Sequence, residues 1–186
     1  KEQEAATALI EKDKCVLISQ HADSLGAPTA CELAGVPNVS YNGSTVAACP
    51  NTFIVSSRID WTPFFVYAIN CVASGEDIGY DWTGTLATGS VVLTELNEKI
   101  AAPGTAEKLA EVEAGLADGS IKVFDTSTFT VDGETLTSAF ALDTDGDFTP
   151  DSEEAVFDGA FHESYFQSAP YFAIKIDGIE WLNSAF

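Results

Sequence analysis

The sequence predicts an α/β protein built on a parallel sheet. Through residues 1–75, short apolar runs typical of buried strands alternate with segments of helical periodicity, and short loops connect them. Such alternation implies right-handed crossover connections, with helices on both faces of the sheet. Of the 186 residues, 46% are hydrophobic, enough for the core of one medium domain or of a lobe in a larger protein.

The first two elements form a helix that leads into a strand. In residues 3–11, Ala5, Ala8 and Leu9 lie on one helical stripe, which predicts a helix. The continuous apolar run CVLIS at 15–19 is typical of a buried parallel strand. The chain therefore opens with a helix and the first strand of the sheet.

A second helix and a second strand follow the first loop. Pro28 suits an early helical turn and Gly35 suits the residue that ends a helix. Residues 36–41 then predict a strand that ends at Asn42-Gly43.

The third strand leads into a strongly apolar helix. Residues 51–57 predict the strand, Asp60 is a plausible N-cap, and Pro63 suits the first turn. The helix is expected to run to Gly75.

Beyond residue 75 the pattern becomes richer in strands. Residues 89–96 predict a strand, 105–119 an amphipathic helix that ends at Gly119, and 121–131 a long β-rich segment. Two Asp-Gly pairs predict hairpin turns. The first joins 127–131 to 134–136 through Asp132-Gly133, and the second joins 171–176 to 179–182 through Asp177-Gly178.

The charge of the chain excludes polyanionic partners. With 29 acidic and 8 basic residues, the formal net charge is −21, which repels DNA, RNA and anionic lipid headgroups. We also find no run of 18 apolar residues and no charged-then-apolar leader, and therefore expect no membrane span or secretion signal in this stretch. Since the chain begins at Lys1 and contains no methionine, we expect a processed product or a fragment.

The four cysteines do not form a zinc motif. Cys15, Cys31, Cys49 and Cys71 are spaced 16, 18 and 22 residues apart with no CxxC pair. Buried free thiols are the simplest interpretation. A disulfide between Cys31 and Cys49 is the alternative.

Three loops follow the carboxyl ends of the predicted strands, where parallel α/β sheets bind ligands. They are residues 20–26, 42–45 and 56–61. Trp61 beside Asp60 would give a stacking surface next to a carboxylate, which suits a heteroaromatic ring with N–H donors. The alternative is that Trp61 packs the helix onto the sheet and the polar residues only cap helices.

A nucleophilic triad is the competing interpretation of the first loop. Ser24 could act as nucleophile, with His21 as base and Asp23 to orient it, as in a small α/β hydrolase. Residues so close in one loop do not easily form the linear relay of that mechanism, and the G-x-S-x-G motif is absent.

The segment DTDGDFTPDSEE has acidic residues at the spacing of a calcium loop. Phe148 occupies the position that requires glycine, and Pro150 replaces the usual apolar residue, so a solvated acidic loop is the preferred interpretation. The alternative, a calcium-dependent extracellular module, would use Asp143, Asp145, Asp147, Thr149, Asp151 and Glu154.

His162 and Glu163 are expected to form a packed, hydrogen-bonded pair. No second histidine lies at ligand spacing, so this pair does not predict a metal site.

Several motifs together resemble one family. The chain carries V-L-I-S-Q-H-A-D-S, then E-L-A-G-V-P-N-V-S-Y-N, then S-S-R-I-D-W-T-P-F-F, then G-S-V-V-L and G-S-I-K-V-F. In this order they resemble the basic membrane lipoprotein family, the substrate-binding proteins of ABC importers for purine nucleosides. The tail YFAIKIDGIEWLNSAF also looks like that of clostridial-type members.

The resemblance implies a fold of the type I periplasmic-binding-protein class with two lobes, of which the N-terminal lobe would be missing here. Residues 1–75 would then be the later part of the second lobe with its ligand loops. Residues 76–137 would form a crossover strand, helix and hairpin, 138–160 an acidic insertion, and 161–186 a C-terminal hairpin and tail.

The resemblance further implies a receptor without catalysis or cofactor. It would bind a purine base or nucleoside, deliver it to an ABC permease, and be held at the extracellular face of the membrane by a lipid anchor on the missing N-terminal part. By position, the binding role falls to Gln20, His21, Asp23, Ser24, Asn42, Asp60 and Trp61.

Two positions depart from the family pattern. Nucleoside-binding members tend to have Asp in the loop matching 40–45 and Lys in the loop after the next strand, where this chain has Asn42 and Asp60. An acidic group in place of Lys changes which ligand atoms can be satisfied, so we expect a purine base to fit better than the ribose of a nucleoside.

Overall fold

The computed structural model describes residues 1–167 and 174–180. The chain divides into two compact units. The first consists of residues 1–67 and 85–117, and the second of residues 68–84 and the described residues from 118 onward. The division of the chain into four segments, which the sequence analysis gives, stays a prediction about the whole protein.

Four helices and four strands lie between residues 2 and 118, and this mixture of helices and strands is what the sequence predicts for its first half. In chain order they are α1 (Glu2–Glu11), β1 (Ile18–Ser19), α2 (Gly26–Ala34), β2 (Asn38–Tyr41), β3 (Phe53–Ile59), α3 (Thr62–Ser74), β4 (Val91–Leu93) and α4 (Thr105–Asp118).

The strands form one sheet in the order β1-β2-β3-β4. The predicted parallel pairing of the first three is confirmed, with Ile18 opposite Asn38 and Tyr41 opposite Ser57. The buried Asn38 side chain donates to the Ile18 carbonyl at 3.0 Å and so ties β2 to β1. The prediction that helices cover both faces of this sheet stays a prediction.

Strand β1 is shorter than predicted. Of the expected run at 15–19, only Ile18 and Ser19 pair with β2, whereas Val16 is 82% exposed. The chain leaves α1 through Lys14, which has a φ of 59°, and Cys15 still donates its N–H to the Leu9 carbonyl. The first residues of the apolar run therefore complete the end of the helix instead of the sheet.

Strand β4 runs antiparallel to β3. The sheet is therefore mixed, whereas the sequence predicts a parallel one. Residues 75–90 carry the chain from the end of α3 back to the carboxyl end of β3, where Asp60 donates its N–H to the Ser90 carbonyl at 2.7 Å. From that point β4 can pair only in the opposite direction, with Ile59 opposite Val91.

The core of the first unit lies between α1, α2 and β1. Small residues allow the two helices to pack closely, and Ile18 supplies the contact with the sheet. The buried members are Ala6, Ile18, Ala27, Ala30 and Cys31. Helix α2 ends at Gly35, whose φ of 69° is the left-handed conformation that glycine favours, as predicted.

The second unit contains two short hairpins where the sequence predicts an acidic insertion and a solvated loop. Strand β5 (Phe140–Leu142) pairs with β6 (Ser152–Glu154), and β7 (Val156–Phe157) with β8 (Ala160–Phe161), all antiparallel. They enclose a small core of Ala141, Ala155 and Phe161. The acidic residues 143–151 form the connection between β5 and β6.

The prediction of a long β-rich segment at 121–131 is wrong. Its residues form no regular strand, and the expected hairpin at Asp132-Gly133 is reduced to a single bridge between Val131 and Glu134. The carboxylate of Asp177 accepts hydrogen bonds from the Thr130 hydroxyl and the Gly133 N–H, at 2.7 and 2.8 Å. A side chain from elsewhere therefore holds this turn in place of a strand ladder.

The predicted C-terminal hairpin falls partly outside the described residues. The turn at Asp177-Gly178 is present, and Gly178 has a positive φ of 83°. Residues 174–176 and 179–180 are not in a strand, and the other half of the two predicted strands, 171–173 and 181–182, lies outside the described residues.

Candidate ligand-binding site

The candidate site lies in the first unit, at the carboxyl ends of β1 and β2. The Gln20 N–H donates to the Val39 carbonyl at 3.2 Å and ties the end of β1 to β2, and the Asn42 N–H donates to the Ser57 carbonyl at 2.7 Å and ties the end of β2 to β3. The loop after β1 and the loop after β2 therefore emerge side by side, as expected for neighbouring parallel strands.

A cavity of about 250 Å³ lies between these two loops. Three of its lining residues, Asp23, Ser24 and Asn42, are among those the sequence predicts as binding residues. The lining as a whole comprises Asp23, Ser24, Leu25, Tyr41, Asn42, Gly43, Ser44 and Thr45.

Asn42 and Asp23 form the polar centre of this cavity. Asn42 has a φ of 64°, a left-handed conformation that asparagine tolerates better than most residues. Its side-chain amide donates to Asp23 Oδ2 at 3.2 Å. A carboxylate and a carboxamide thus present acceptors and donors within one small space.

Gln20 does not line the cavity but stabilises the loop through hydrogen bonds. Its amide donates to the carbonyls of Ala22 at 2.8 Å and Ser24 at 3.1 Å, and its Oε1 accepts from Asn38 at 3.3 Å. These bonds use both ends of the side chain, so Gln20 fixes the conformation in which Asp23 and Ser24 are presented.

The structure does not assemble a triad from His21, Asp23 and Ser24. The Ser24 hydroxyl donates to the carboxylate of Glu2 and accepts the Gly26 N–H at 3.2 Å. The His21 ring packs edge-on against Tyr41, with centroids 4.5 Å apart. In the described chain no hydrogen bond joins His21 to Asp23 or Ser24.

Asp60 and Trp61 lie apart from the cavity. Ser57 pairs with Tyr41 at the end of β2. Asp60 lies three positions beyond Ser57, which at the rise of a strand is roughly 10 Å further along. Neither residue lines the 250 Å³ cavity. The seven predicted residues therefore form one cluster after β1 and β2 and a second pair after β3.

Asp60 caps helix α3, as the sequence predicts. Its Oδ1 accepts the Thr62 N–H at 2.9 Å, and its Oδ2 lies 3.7 Å from Arg58. Hydrogen bonding from Thr62, helped by the charge of Arg58, lowers the pKa of this carboxyl below its ordinary value. The group is therefore a carboxylate at neutral pH.

Trp61 is 57% exposed. Its ring contacts Phe64 and Phe65 at centroid distances of 6.1 and 6.4 Å, so it rests on the first turn of its own helix. The alternative that Trp61 packs the helix onto the sheet does not match this exposure, which leaves more than half of the residue able to contact another molecule.

Sequence reasoning missed Tyr41 and Thr45. Tyr41 supplies the aromatic wall of the cavity, and Thr45 holds the second loop through a 2.8 Å hydrogen bond with the Ser40 hydroxyl. The alternation along β2 gave the opposite signal, because the structure buries the polar Asn38 and Ser40 and leaves Tyr41 only half-buried.

A larger cavity of about 600 Å³ is lined by Asn97 and by the charged side chains of Glu95, Glu98 and Lys99. Its buried amide, Asn97, already donates to the carbonyls of Pro50 and Phe53 at 3.0 and 2.8 Å. We favour the smaller cavity because its polar groups stand at the carboxyl ends of parallel strands, although the other has the greater volume.

The acidic connection in the second unit gathers only part of the predicted calcium set. Carboxylate oxygens of Asp143, Asp145 and Asp151 lie within 4.8 Å of one another and are the described acidic groups that could share a cation. Asp147 instead accepts the Thr149 N–H at 2.8 Å. Glu154 is turned toward Ser138, whose hydroxyl donates to it at 2.5 Å.

His162 packs differently from the predicted pair with Glu163. Its ring stacks on Phe157 at a centroid distance of 3.8 Å, and its Nε2 lies 3.1 Å from the Phe157 carbonyl. Among the described residues no hydrogen bond joins it to Glu163. The histidine is thus a packed, hydrogen-bonded residue whose partner is Phe157.

Comparisons with known proteins show similarity of fold. Neither the models of known protein families nor the curated proteins give a match. Within the described residues, no helix combines the length and the apolar character needed to cross a membrane.

Two of the solved structures that are similar to this chain show what the similarity covers. One is an ABC transporter solute-binding protein from Conexibacter woesei DSM 14684, with 20% identity and a TM-score of 0.51 over 66% of this chain and 41% of the other. The second is a transcriptional activator of the comK gene from Bacillus halodurans, with 13% identity and a TM-score of 0.55 over 65% of this chain and 44% of the other. The chain thus shares an α/β fold with both and spans less than half the length of either.

Proposed function

We propose that this chain is part of the solute-binding component of an ABC importer and that it binds a purine base or nucleoside without changing it chemically. The observation that carries the proposal is the cavity at the carboxyl ends of β1 and β2, where Asp23 and Asn42 meet. The fold shared with a solute-binding protein and the motif resemblance support the same class.

The polar groups of the cavity suit a nitrogen heterocycle. The Asp23 carboxylate can accept from ring or exocyclic N–H groups, and the Asn42 amide can both donate and accept. Tyr41 adds an aromatic wall beside them. A hydrogen bond from a ligand N–H to a charged acceptor contributes more binding free energy than one to a neutral acceptor. Asp23 is therefore the residue expected to dominate affinity.

Asp60 and Trp61 would contact the ligand from a second direction. Because they lie beyond the end of β2, they suit a ligand larger than the 250 Å³ cavity or one enclosed by a second lobe. The proposed whole protein closes two lobes on its ligand, passes it to a permease, and is anchored by lipid at the extracellular face of the membrane.

The contacts of Ser24 and His21 argue against the hydrolase alternative. A nucleophilic serine needs a base within hydrogen-bonding reach, and the Ser24 hydroxyl is instead bonded to Glu2 and Gly26. His21 would have to leave Tyr41 to act as that base.

Calorimetric titration with adenine, guanine, adenosine and guanosine tests the proposal. We expect at least one of them to bind, and Asp23→Asn to weaken that binding by about 10-fold or more through loss of a charge-assisted hydrogen bond. Glu107→Gln, which removes an exposed carboxylate at the start of α4, is the matched control and should leave binding unchanged.

The same samples separate a receptor from an enzyme. After incubation, chromatography should recover the purine intact from the wild type and from Ser24→Ala. Release of a product that Ser24→Ala abolishes would support the hydrolase, and the absence of binding to all four compounds would reject purine recognition.

A further inference from the structure

Two cysteines far apart in sequence are both fully buried in the first unit. All four cysteines are free thiols, and Cys31 and Cys49 are 0% and 2% exposed. Cys15 is only half-buried, and Cys71 belongs to the second unit. Cys31 and Cys49 are therefore the two buried thiols that share one unit.

The two cysteines lie at the amino ends of neighbouring strands. Cys31 is in the last turn of α2, and its carbonyl accepts the N–H of Val36 at 3.0 Å, just before β2 begins. Cys49 accepts the Phe53 N–H at 3.1 Å, at the start of β3. Because Asn38 and Phe53 pair at the start of these parallel strands, the two turns meet at one edge of the sheet.

Glu32 shows that the segments carrying the cysteines are in direct contact. The residue next to Cys31 accepts hydrogen bonds from the Asn51 N–H at 3.2 Å and the Thr52 hydroxyl at 2.7 Å. Burial, with a further contribution from the neighbouring Cys49, raises the pKa of the Cys31 thiol to about 11. The hydrogen bonds of Glu32 place the two segments in contact, and the effect of Cys49 on Cys31 indicates that the two thiols are close enough to interact.

We propose that Cys31 and Cys49 form a disulfide when the chain folds in the presence of a disulfide oxidant such as oxidised glutathione. One protein thiolate attacks the glutathione S–S bond and releases one glutathione thiolate. The second protein thiolate then attacks the mixed disulfide, forms the Cys31–Cys49 bond and releases the second glutathione thiolate. Both glutathione thiolates take up the protons lost by the cysteines, so two electrons pass from the protein to glutathione.

Burial determines when this bond can form and how long it lasts. In the unfolded chain both thiols are exposed and have ordinary pKa values, so exchange is possible during folding. In the folded protein a buried thiol with a raised pKa supplies little thiolate, and exchange becomes slow. A bond formed during folding would by the same burial be shielded from reductants.

Refolding with and without oxidant tests the proposal. Denatured, reduced protein is refolded either with reduced and oxidised glutathione or with excess dithiothreitol, then unfolded and alkylated for mass analysis. We expect the oxidised sample to have lost two of its four thiols, with a proteolytic peptide pair linking Cys31 to Cys49. Closing a loop of about 18 residues should raise the thermal midpoint by on the order of 10 °C.

Variants assign the bond. Cys31→Ser and Cys49→Ser should each keep three alkylated thiols, whereas Cys15→Ser and Cys71→Ser should still form the bond. Four thiols in the refolded wild type, or a linked pair other than Cys31 and Cys49, would overturn the proposal, and this result does not depend on any variant folding. The bond is read from alkylation and peptide mass and purine binding from calorimetry, so the two proposals fail separately.

Discussion

Asn42 shows how one residue sets the geometry of the candidate site. Its positive φ turns the chain sharply after β2, and the Gly43 N–H donates back to the Tyr41 carbonyl at 2.8 Å. In that conformation the side-chain amide faces Asp23 across the cavity. The residue therefore acts through both its backbone and its side chain.

Glu32 is the residue whose ionisation we expect to matter for folding. Burial by itself raises its pKa, but hydrogen bonds from Thr52 and Asn51 outweigh that effect and lower the pKa below its ordinary value of 4.5. Folding thus favours the carboxylate. The ionised Glu32 stabilises the folded state fully at a pH above the pKa that it has in the unfolded chain. This stabilisation is lost as the pH falls through its lower pKa in the folded protein.

Urea unfolding from pH 6 to pH 3 checks this expectation. Glu32→Gln should be less stable than the wild type at pH 6, and the difference should shrink as the wild-type carboxylate becomes protonated. Glu11→Gln, which removes an exposed carboxylate at the end of α1, controls for the loss of one negative charge. A difference that stays constant over the whole range would contradict the role given to Glu32.

At the scale of elements, the contact between α1 and the start of α2 is unusually close. A Cβ atom on Gly26 would lie 3.0 Å from the Gln3 backbone nitrogen and 3.1 Å from Glu2 Cβ. Glu2 also receives the hydrogen bond from Ser24. The first turn of α1 is thus fitted against the loop that presents the candidate site.

We expect Gly26→Ala to destabilise the protein by about 1–3 kcal/mol, because the added methyl group displaces the backbone of α1. Alanine is ordinarily the better helix former by about 1 kcal/mol, so the sign of the effect identifies the steric cause. Urea denaturation measures the change in the free energy of unfolding. Gly43→Ala is the control, since a Cβ there meets no atom within 4 Å, and equal stabilities for the two variants would refute the close contact.

Helix α3 has two different faces. Cys71 is buried, whereas Phe65, Val66, Ile69 and Val72 are exposed, and no residue of the helix is charged. The helix therefore carries more apolar side chains than its contacts within the described chain bury. The sequence predicted the helix correctly, but no charged residue distinguishes its exposed face from its buried one.

At the scale of the whole molecule, negative charge dominates. A formal charge of −21 on 186 residues opposes compaction, and ion pairs do not offset it because there are only 8 Lys and Arg side chains. Among the described residues, the ion pair between Arg58 and Asp60 is partly exposed and spans 3.7 Å. Screening by salt should therefore favour the folded state.

The thermal midpoint at pH 7.5 is expected to rise by at least a few °C as NaCl increases from about 0.02 to 0.5 M, because the Debye length falls from roughly 20 to 4 Å. Differential scanning calorimetry measures this change. The effect should diminish toward pH 4, where Asp and Glu begin to take up protons. A midpoint that is independent of salt at pH 7.5 would show that charge repulsion does not limit stability.

The local elements of the first unit were predictable because their signals are local. Helical stripes, Pro28, Gly35 and the cap at Asp60 each act within a few residues, and they specify α1 to α3 and the order of the first three strands. The loop that carries Asp23 and the loop that carries Asn42 follow from that order, since parallel neighbours end at the same edge.

Contacts between residues distant in sequence were decided only by the tertiary structure. The bond from Ser24 to Glu2, which argues against a triad, joins positions 22 residues apart. The Asp177 carboxylate that replaces a strand ladder at Gly133 comes from 44 residues away. The direction of β4 and the separation of Trp61 from the cavity likewise depend on where the chain returns after α3. Periodicity and capping act over a few residues and carry no information at such separations, so packing alone determines these features.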